Sequence, residues 1–218
     1  MRAYRQFCAL SKALDVIGER WSLLIVRELL IRGACRYTDL KDGLPGIATN
    51  LLAERLRELE KAGVLTREEA PAPIATQLFR LSPRGEALEP VIRELGRWGA
   101  PLLAAAPMSD SFRGHWLALP AKFCLNDHAP QQAPVVLEVR CEDEPITVEI
   151  GHGVVRTRVG TARDADAAMA GPPRLILSLL KGEVTLTQAR RSGLEYQGDA
   201  NVLYRVQPRA RRAQPHGS

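Results

Sequence analysis

Thr49, Asn50, Ala53, Glu54, Arg57 and Lys61 recur at three- and four-residue steps, which on a helix places them on one side, opposite Leu52, Leu56 and Leu59. They are small, hydrogen-bonding or cationic. From such a face an asparagine or arginine can make a bidentate bond to a base edge in the major groove of a duplex, and a threonine can reach a phosphate or a thymine methyl. On an ordinary surface helix the same face would simply be solvated. Tyr37, Thr38 and Lys41 just before it, and Arg67 and Arg80 after it, are candidate phosphate contacts on the same chemistry. Arg55 sits beside the apolar stripe and is expected to pair with an acid such as Asp15 or Glu19 rather than to touch DNA.

A second chemistry is offered by sulfur. Cys8, Cys35, Cys124 and Cys141 are far apart, and no two are spaced as in a zinc ribbon or a redox pair, so they read as reduced thiols in a cytoplasm. A reactive thiolate at Cys8 would need an accessible, thiolate-favouring site, and only Arg5 and Lys12 nearby hint at one. The acids and bases of the second half, including His115, His128, Asp127, Glu138 and Glu149, form no nucleophile, metal or phosphate motif. Neither an enzyme nor a metal or cofactor is expected.

The elements that must position these residues follow from periodicity and punctuation. Leu10, Leu14, Ile17, Trp21, Leu24, Ile25 and Leu29 mark an amphipathic helical region from Phe7 to Leu30, interrupted at Gly18 and ended by Gly33. A short helix over Tyr37–Lys41 precedes Gly43-Leu44-Pro45-Gly46, a turn signal, and a helix spans 48–62 before Gly63. Val64–Arg67 and Gln77–Leu81 read as a hairpin around Pro71 and Pro73. Ser82 caps and Pro83 opens the next stretch, in which Leu88, Val91, Ile92, Leu95, Trp98 and Leu102 predict a long helix over 84–104.

Small and polar residues from 104 to 111 mark a boundary, after which the period becomes two. Strands are predicted over 135–140, 146–150 and 154–159, the last two joined at Gly151-His152-Gly153, with helices near 174–180 and 187–192. The division is therefore 1–106, 107–207 and a tail, 208–218, expected to be disordered. A net charge of +5, shared between both halves, suits a nucleic-acid binder without requiring one. No secretory leader or membrane span is read from the apolar pattern, and a cytoplasmic location is expected.

Residues 13–25 (ALDVIGERWSLLI), 44–56 (LPGIATNLLAERL) and 59–65 (LEKAGVL) resemble the HxlR-type family of bacterial winged-helix regulators, over roughly 7–104. The resemblance implies a dimeric DNA-binding fold, a recognition helix in the major groove and a basic wing beside it. A dimer doubles the contacts of one motif and sets half-site spacing. The apolar surface for it is expected from Phe7, Leu10, Leu88, Val91, Leu95, Trp98 and Leu102, unless that stripe packs within the chain. Family members often carry a cysteine matching Cys8, and some use it to sense oxidants or electrophiles; here it stands as Cys8-Ala9 rather than the common Cys-Pro.

Asp164-Ala165-Asp166-Ala167-Ala168-Met169, Gly171-Pro172, Leu177–Gly182 and Glu195–Asp199 are similar to the closing half of a sterol carrier protein type 2-like domain, over about 115–206. That resemblance implies a curved sheet with helices enclosing an apolar tunnel. Its walls would include Trp116, Leu137, Val139, Val148, Ile150, Leu177 and Leu180, residues that would equally fill an ordinary α+β core.

The fold class expected is α+β, a winged helix-turn-helix followed by a sterol-carrier-like domain. The function expected is a homodimeric transcriptional regulator, first guess a repressor, that binds a double-stranded operator and responds to an apolar small molecule. Two other readings stay open: a thiol switch acting through Cys8, and a hydrophobic-ligand carrier whose first half only dimerises.

Overall fold

The computed structural model describes residues 3–70, 76–107 and 109–207, and the chain divides into two compact units, Met1–Ser111 and Phe112–Ser218. Pro71 and Pro73 of the expected hairpin tip, and the tail from 208, lie outside the described residues.

In the first unit the long N-terminal stripe becomes two helices, α1 (Ala9–Ile17) and α2 (Ser22–Arg32). The Gly18 N–H closes α1 on the Leu14 carbonyl, and Trp21, in the left-handed region at φ 80°, turns the chain into α2. A two-residue strand β1 (Cys35–Arg36) leads into α3 (Tyr37–Asp42), then α4 (Thr49–Lys61), and the hairpin β2 (Leu65–Glu69) and β3 (Gln77–Leu81). The three strands form an antiparallel sheet in the order β1-β3-β2. Ile25 and Leu29 of α2, Leu40 of α3, Leu44 and Ile47 of the turn, and Leu52, Leu56 and Leu59 of α4 are fully buried together with Leu65. Each contributes about 1.5–3 kcal/mol on leaving water, so the stripe of α4 clamps it with its other side outward.

The helix expected over 84–104 is broken into three pieces, α5 (Pro83–Glu86), α6 (Glu89–Gly99) and a 3-10 turn (Ala100–Ala105). Proline explains both breaks. Pro90 and Pro101 each lie in the first turn of the piece they open, where a missing N–H costs nothing, whereas inside a continuous helix each would remove a bond and crowd the preceding turn.

The second unit opens with a 3-10 turn (Gly114–Leu117) and α7 (Ala118–Cys124), then builds β4 (Val135–Arg140), β5 (Ile146–Gly151), β6 (Val154–Val159) and β7 (Ala167–Ala170). Helices α8 (Pro173–Leu180) and α9 (Leu186–Arg191), strand β8 (Glu195–Gly198) and α10 (Ala200–Val206) complete it. The sheet order is β6-β5-β4-β7-β8, antiparallel except for the central pair β4 and β7, which run parallel. The register sets Leu137 against Val148 and Val139 against Ile146 and Met169, so these share one face.

Most residues of the expected tunnel lining are buried. Leu137, Val139, Val148, Ile150 and Leu180 have 1% exposure or less, while Trp116 and Leu177 are half-buried. Strand alternation turns the first four inward against neighbours from adjacent strands, which is the packing of a core. Trp116 stands edge-on to Phe112, with ring centres 5.9 Å apart, and the Nδ1 of buried His115 lies 3.0 Å from the Glu144 carboxylate.

An ion pair ties the end of this unit to its middle. Arg205 of α10 donates from Nε to one Asp127 oxygen at 2.8 Å and from a terminal nitrogen to the other at 3.1 Å. Its remaining terminal nitrogen donates to the Ala133 carbonyl at 2.7 Å. Asp127 also accepts the N–H groups of Ala129 and Gly153.

Candidate nucleic-acid interface

Helix α4 begins at Thr49 and ends on Ala62, whose N–H returns to the Glu58 carbonyl. With Leu52, Leu56 and Leu59 inward, Thr49, Asn50, Glu54, Arg57 and Lys61 are exposed and Ala53 is half-buried. Among the described residues no acid pairs with Arg57 or Lys61. Asn50 uses its side-chain oxygen to accept the Leu51 N–H at 3.0 Å, leaving its amide nitrogen to donate outward.

The preceding helix does two jobs. Thr38 is exposed, but the Tyr37 hydroxyl donates to the Thr49 carbonyl at 2.6 Å and the Lys41 ammonium donates to the Ile47 carbonyl. Both side chains therefore hold the turn into α4 rather than standing free. A sequence pattern shows that Tyr37 and Lys41 are polar and near the turn; only the fold shows what they bond.

Between the start of α3, the outward side of α4 and the hairpin lies a cleft of about 440 Å³, lined by Arg36, Tyr37, Thr38, Ala53, Leu56, Arg57, Arg67, Thr76, Gln77 and Phe79. Arg36 and Gln77 were not among the expected contacts. Arg36 is exposed, and its position immediately before Tyr37 and Thr38 was the available signal.

The wing departs from the basic one that the resemblance implies. Strand β2 carries Glu68 and Glu69 beside Arg67, and each wing arginine meets an acid: Arg67 lies 2.7 Å from Glu60 and over the Phe79 ring, and Arg80 lies 3.4 Å from Glu68. To reach phosphate either arginine must exchange one anion for another, and on the described strands of the hairpin Arg67 and Arg80 are matched by Glu68 and Glu69, leaving no net charge.

Arg55 is buried and pairs more widely than expected. Its terminal nitrogens lie 2.7 Å from Glu58, 3.0 Å from Glu54 and 3.7 Å from Glu19, whereas Asp15 goes to Lys12 and the Tyr4 N–H. Through Glu19 it links α4 to the segment between α1 and α2.

The apolar stripe beside this domain is uncovered. Phe7 is fully exposed, Leu10 is 68% exposed, Leu95 46%, Trp98 75% and Leu102 63%, and α6 has no buried residue. Leu88 is the exception among the expected interface residues: with Ile92 it packs on the chain's own core. Leu103 and Tyr4 extend the exposed surface and were not anticipated.

Cys8 occupies the cap position of α1 and is exposed. The backbone N–H groups of Ser11 and Leu10 at the helix start hold its thiol below the usual value of 9.0, against a smaller opposing effect of burial, although neither closes a capping hydrogen bond to it. Burial pushes Cys35 up to about 12 and Cys141 up to about 11.

Residues 16–106 match the HxlR-like helix-turn-helix family. Three relatives from Bacillus subtilis (strain 168), each named an HTH-type transcriptional regulator, are similar to about two fifths of this chain. YvaP is 37% identical over 87 residues, covering 40% of this chain and 80% of YvaP. YdzF is 35% identical over 86 residues, covering 39% and 79%. YodB is 32% identical over 89 residues, covering 41% and 79%. The family match ends at residue 106, before the second unit begins. With a helix-turn-helix and hairpin in place within residues 16–106, the chain belongs to the HxlR-like helix-turn-helix family of transcriptional regulators.

Proposed function

We propose that the chain works as a homodimer that reads a double-stranded operator with α4, as a repressor, and that an apolar small molecule bound by the second unit modulates it. The observation that carries the reading is the outward face of α4, where Thr49, Asn50, Arg57 and Lys61 stand exposed beside a buried turn. Asn50 and Arg57 read base edges from within the groove. Thr38, Arg36 and Lys61 meet phosphates, joined by Arg67 and Arg80 if phosphate displaces their acids. Tyr37 and Lys41 hold the helix in place.

The test compares an operator, selected by the protein from random duplexes, with unselected DNA. Asn50→Ala and Arg57→Ala are each expected to weaken operator binding by about 1–3 kcal/mol, roughly fivefold to 150-fold, measured by fluorescence anisotropy at fixed salt. Dimer mass and binding to unselected DNA change much less. Equal losses on both DNAs would remove base reading from the proposal.

The effector acts by population shift: it must bind one arrangement of the paired recognition helices better than the other. Most of the candidate lining is buried, so the ligand would contact these residues from inside the second unit. Native mass spectrometry of protein purified without detergent is expected to show an added mass that organic solvent removes. A single bare mass, also unchanged on addition of fatty acid, would leave the second unit without that role.

A second reading is favoured by the state of Cys8. An exposed thiol at a helix start, with its titration lowered, is the site where an oxidant or electrophile would react first. At pH 8, limiting iodoacetamide is expected to alkylate Cys8 well before Cys35 and Cys141, as peptide mass mapping would show. If Cys8→Ser releases operator on oxidant treatment as readily as the parent protein does, the thiol is no switch.

A further inference from the structure

Glu28 lies in α2 between core residues Ile25 and Leu29, and its side chain has no exposure at all. A carboxylate in that position persists only when paired, because an uncompensated buried charge is strongly disfavoured. Arg27 supplies two bonds to one oxygen, from Nε at 3.0 Å and from a terminal nitrogen at 2.7 Å. The other oxygen stands 3.6 Å from Arg32 Nε.

The same network reaches the turn before α4. The terminal nitrogen of Arg27 that holds Glu28 also lies 3.4 Å from the Gly43 carbonyl. Gly43 touches the carboxylate directly: a Cβ on it would stand 2.2 Å from Glu28 Oε2 and 2.8 Å from its carboxyl carbon. The backbone there, φ −74° and ψ −7°, suits any residue, so chain conformation does not call for glycine. The neighbouring carboxylate does.

Gly43 opens the segment that aims the recognition helix. From it the Leu44 N–H bonds the Lys41 carbonyl, the Ile47 N–H bonds the Leu44 carbonyl, and Lys41 and Tyr37 close on Ile47 and Thr49. Leu44 and Ile47 are buried, but apolar contact is non-directional and tolerates sliding. A buried charge seated against a glycine and bridged to its carbonyl by an arginine does not slide. We propose that Glu28 and Gly43 are a positioning pair that sets the angle at which α4 leaves the turn, and through it the discrimination between operator and other DNA. The proposal rests on the operator-reading function above.

Gly43→Ala and Glu28→Asp test it separately and together. Gly43→Ala puts a methyl group where the carboxylate is; Glu28→Asp keeps the charge and withdraws it by one carbon. In the DNA-free protein, Gly43→Ala is expected to shift the backbone amide resonances of residues 47–53, and the double variant to return them toward parental positions. On DNA, Gly43→Ala is expected to lower the ratio of operator to random-duplex affinity at least tenfold with dimer mass retained, and the double variant to recover a large part of that loss. A role confined to stability would lower the melting temperature and leave that ratio intact in the folded protein, and additive effects in the double variant would equally overturn the pairing. If Gly43→Ala does not fold, Glu28→Asp alone with the smaller shift and smaller ratio loss carries the test, and an unchanged ratio overturns the proposal. Restored amide positions without any operator preference in the parent would instead fault the DNA-reading function and leave the positioning geometry standing.

Discussion

Replacing Leu95 and Trp98 with glutamate is expected to turn a dimer into a monomer and to abolish tight operator binding. Both side chains stand in water in the single chain, at 46% and 75% exposure, so the fold of one protomer loses little by the change. In a dimer they would be buried, and each large apolar side chain so covered contributes about 1.5–3 kcal/mol. Two positions on two protomers together amount to several kcal/mol, and the buried carboxylates add a desolvation cost. A rise of about a thousandfold or more in the dimer dissociation constant follows. Analytical ultracentrifugation across a concentration series reads it, with a melt as control. In the proposed dimer two-fold contacts would set the half-site spacing of the operator, so anisotropy on the selected operator is expected to fall toward the value for random DNA. A variant that stays dimeric, or that unfolds because the stripe belongs to its own core, would overturn this placement of the interface.

The second large effect concerns Arg205 and Asp127 in the other unit. Arg205→Met leaves Asp127, whose side chain has no exposure, without its cation and keeps the volume nearly unchanged. Removing one member of a buried pair typically costs about 3–5 kcal/mol, and in a unit of this size each kcal/mol lowers a melting temperature by about 4–8 °C. Calorimetry of the full chain is expected to show one transition lowered by more than about 10 °C. The pH dependence has a definite sign. Hydrogen bonding to Arg205 first, then to the N–H groups of Ala129 and Gly153, holds the Asp127 carboxyl far below the carboxylate range against the opposing effect of burial. A depressed carboxylate contributes stability above its unfolded value of about 3.9 and loses it as pH falls toward the folded value. The gap between parent and variant should therefore be full at pH 7 and narrow below about pH 4, where protonation neutralises the uncompensated acid. An unchanged transition at pH 7 would mean that the pair does not secure α10.

The elements that the periodicity made legible are those whose stability is local. Leu52, Leu56 and Leu59 at helical steps, with Gly43, Pro45 and Gly46 ahead and Gly63 behind, describe α4 almost to its ends. Strands β4, β5 and β6 alternate, and the glycines at 151 and 153 mark their hairpin. By contrast β7 is the run Ala167-Ala168-Met169-Ala170, with no branched or aromatic residue, and becomes a strand only because β4 and β8 satisfy its backbone on both sides. The short α10, begun by Asp199 accepting the Asn201 N–H, passed unread for the same reason: seven residues cannot form a helix alone, and packing of Val202, Leu203 and Val206 makes this one.

The candidate site divides along the same line. Which residues of α4 face outward, and that an apolar stripe exists on the later helix, were determined by the order of amino acids, because helical geometry converts spacing into direction without reference to anything distant. What the tertiary structure alone decided was each residue's partner: Tyr37 and Lys41 on the turn, Glu60 and Glu68 beside the wing arginines, Glu28 against Gly43, and an uncovered Trp98. Charges and hydrogen-bonding groups act over a few ångströms in space. Their energies therefore depend on which segments the fold brings together.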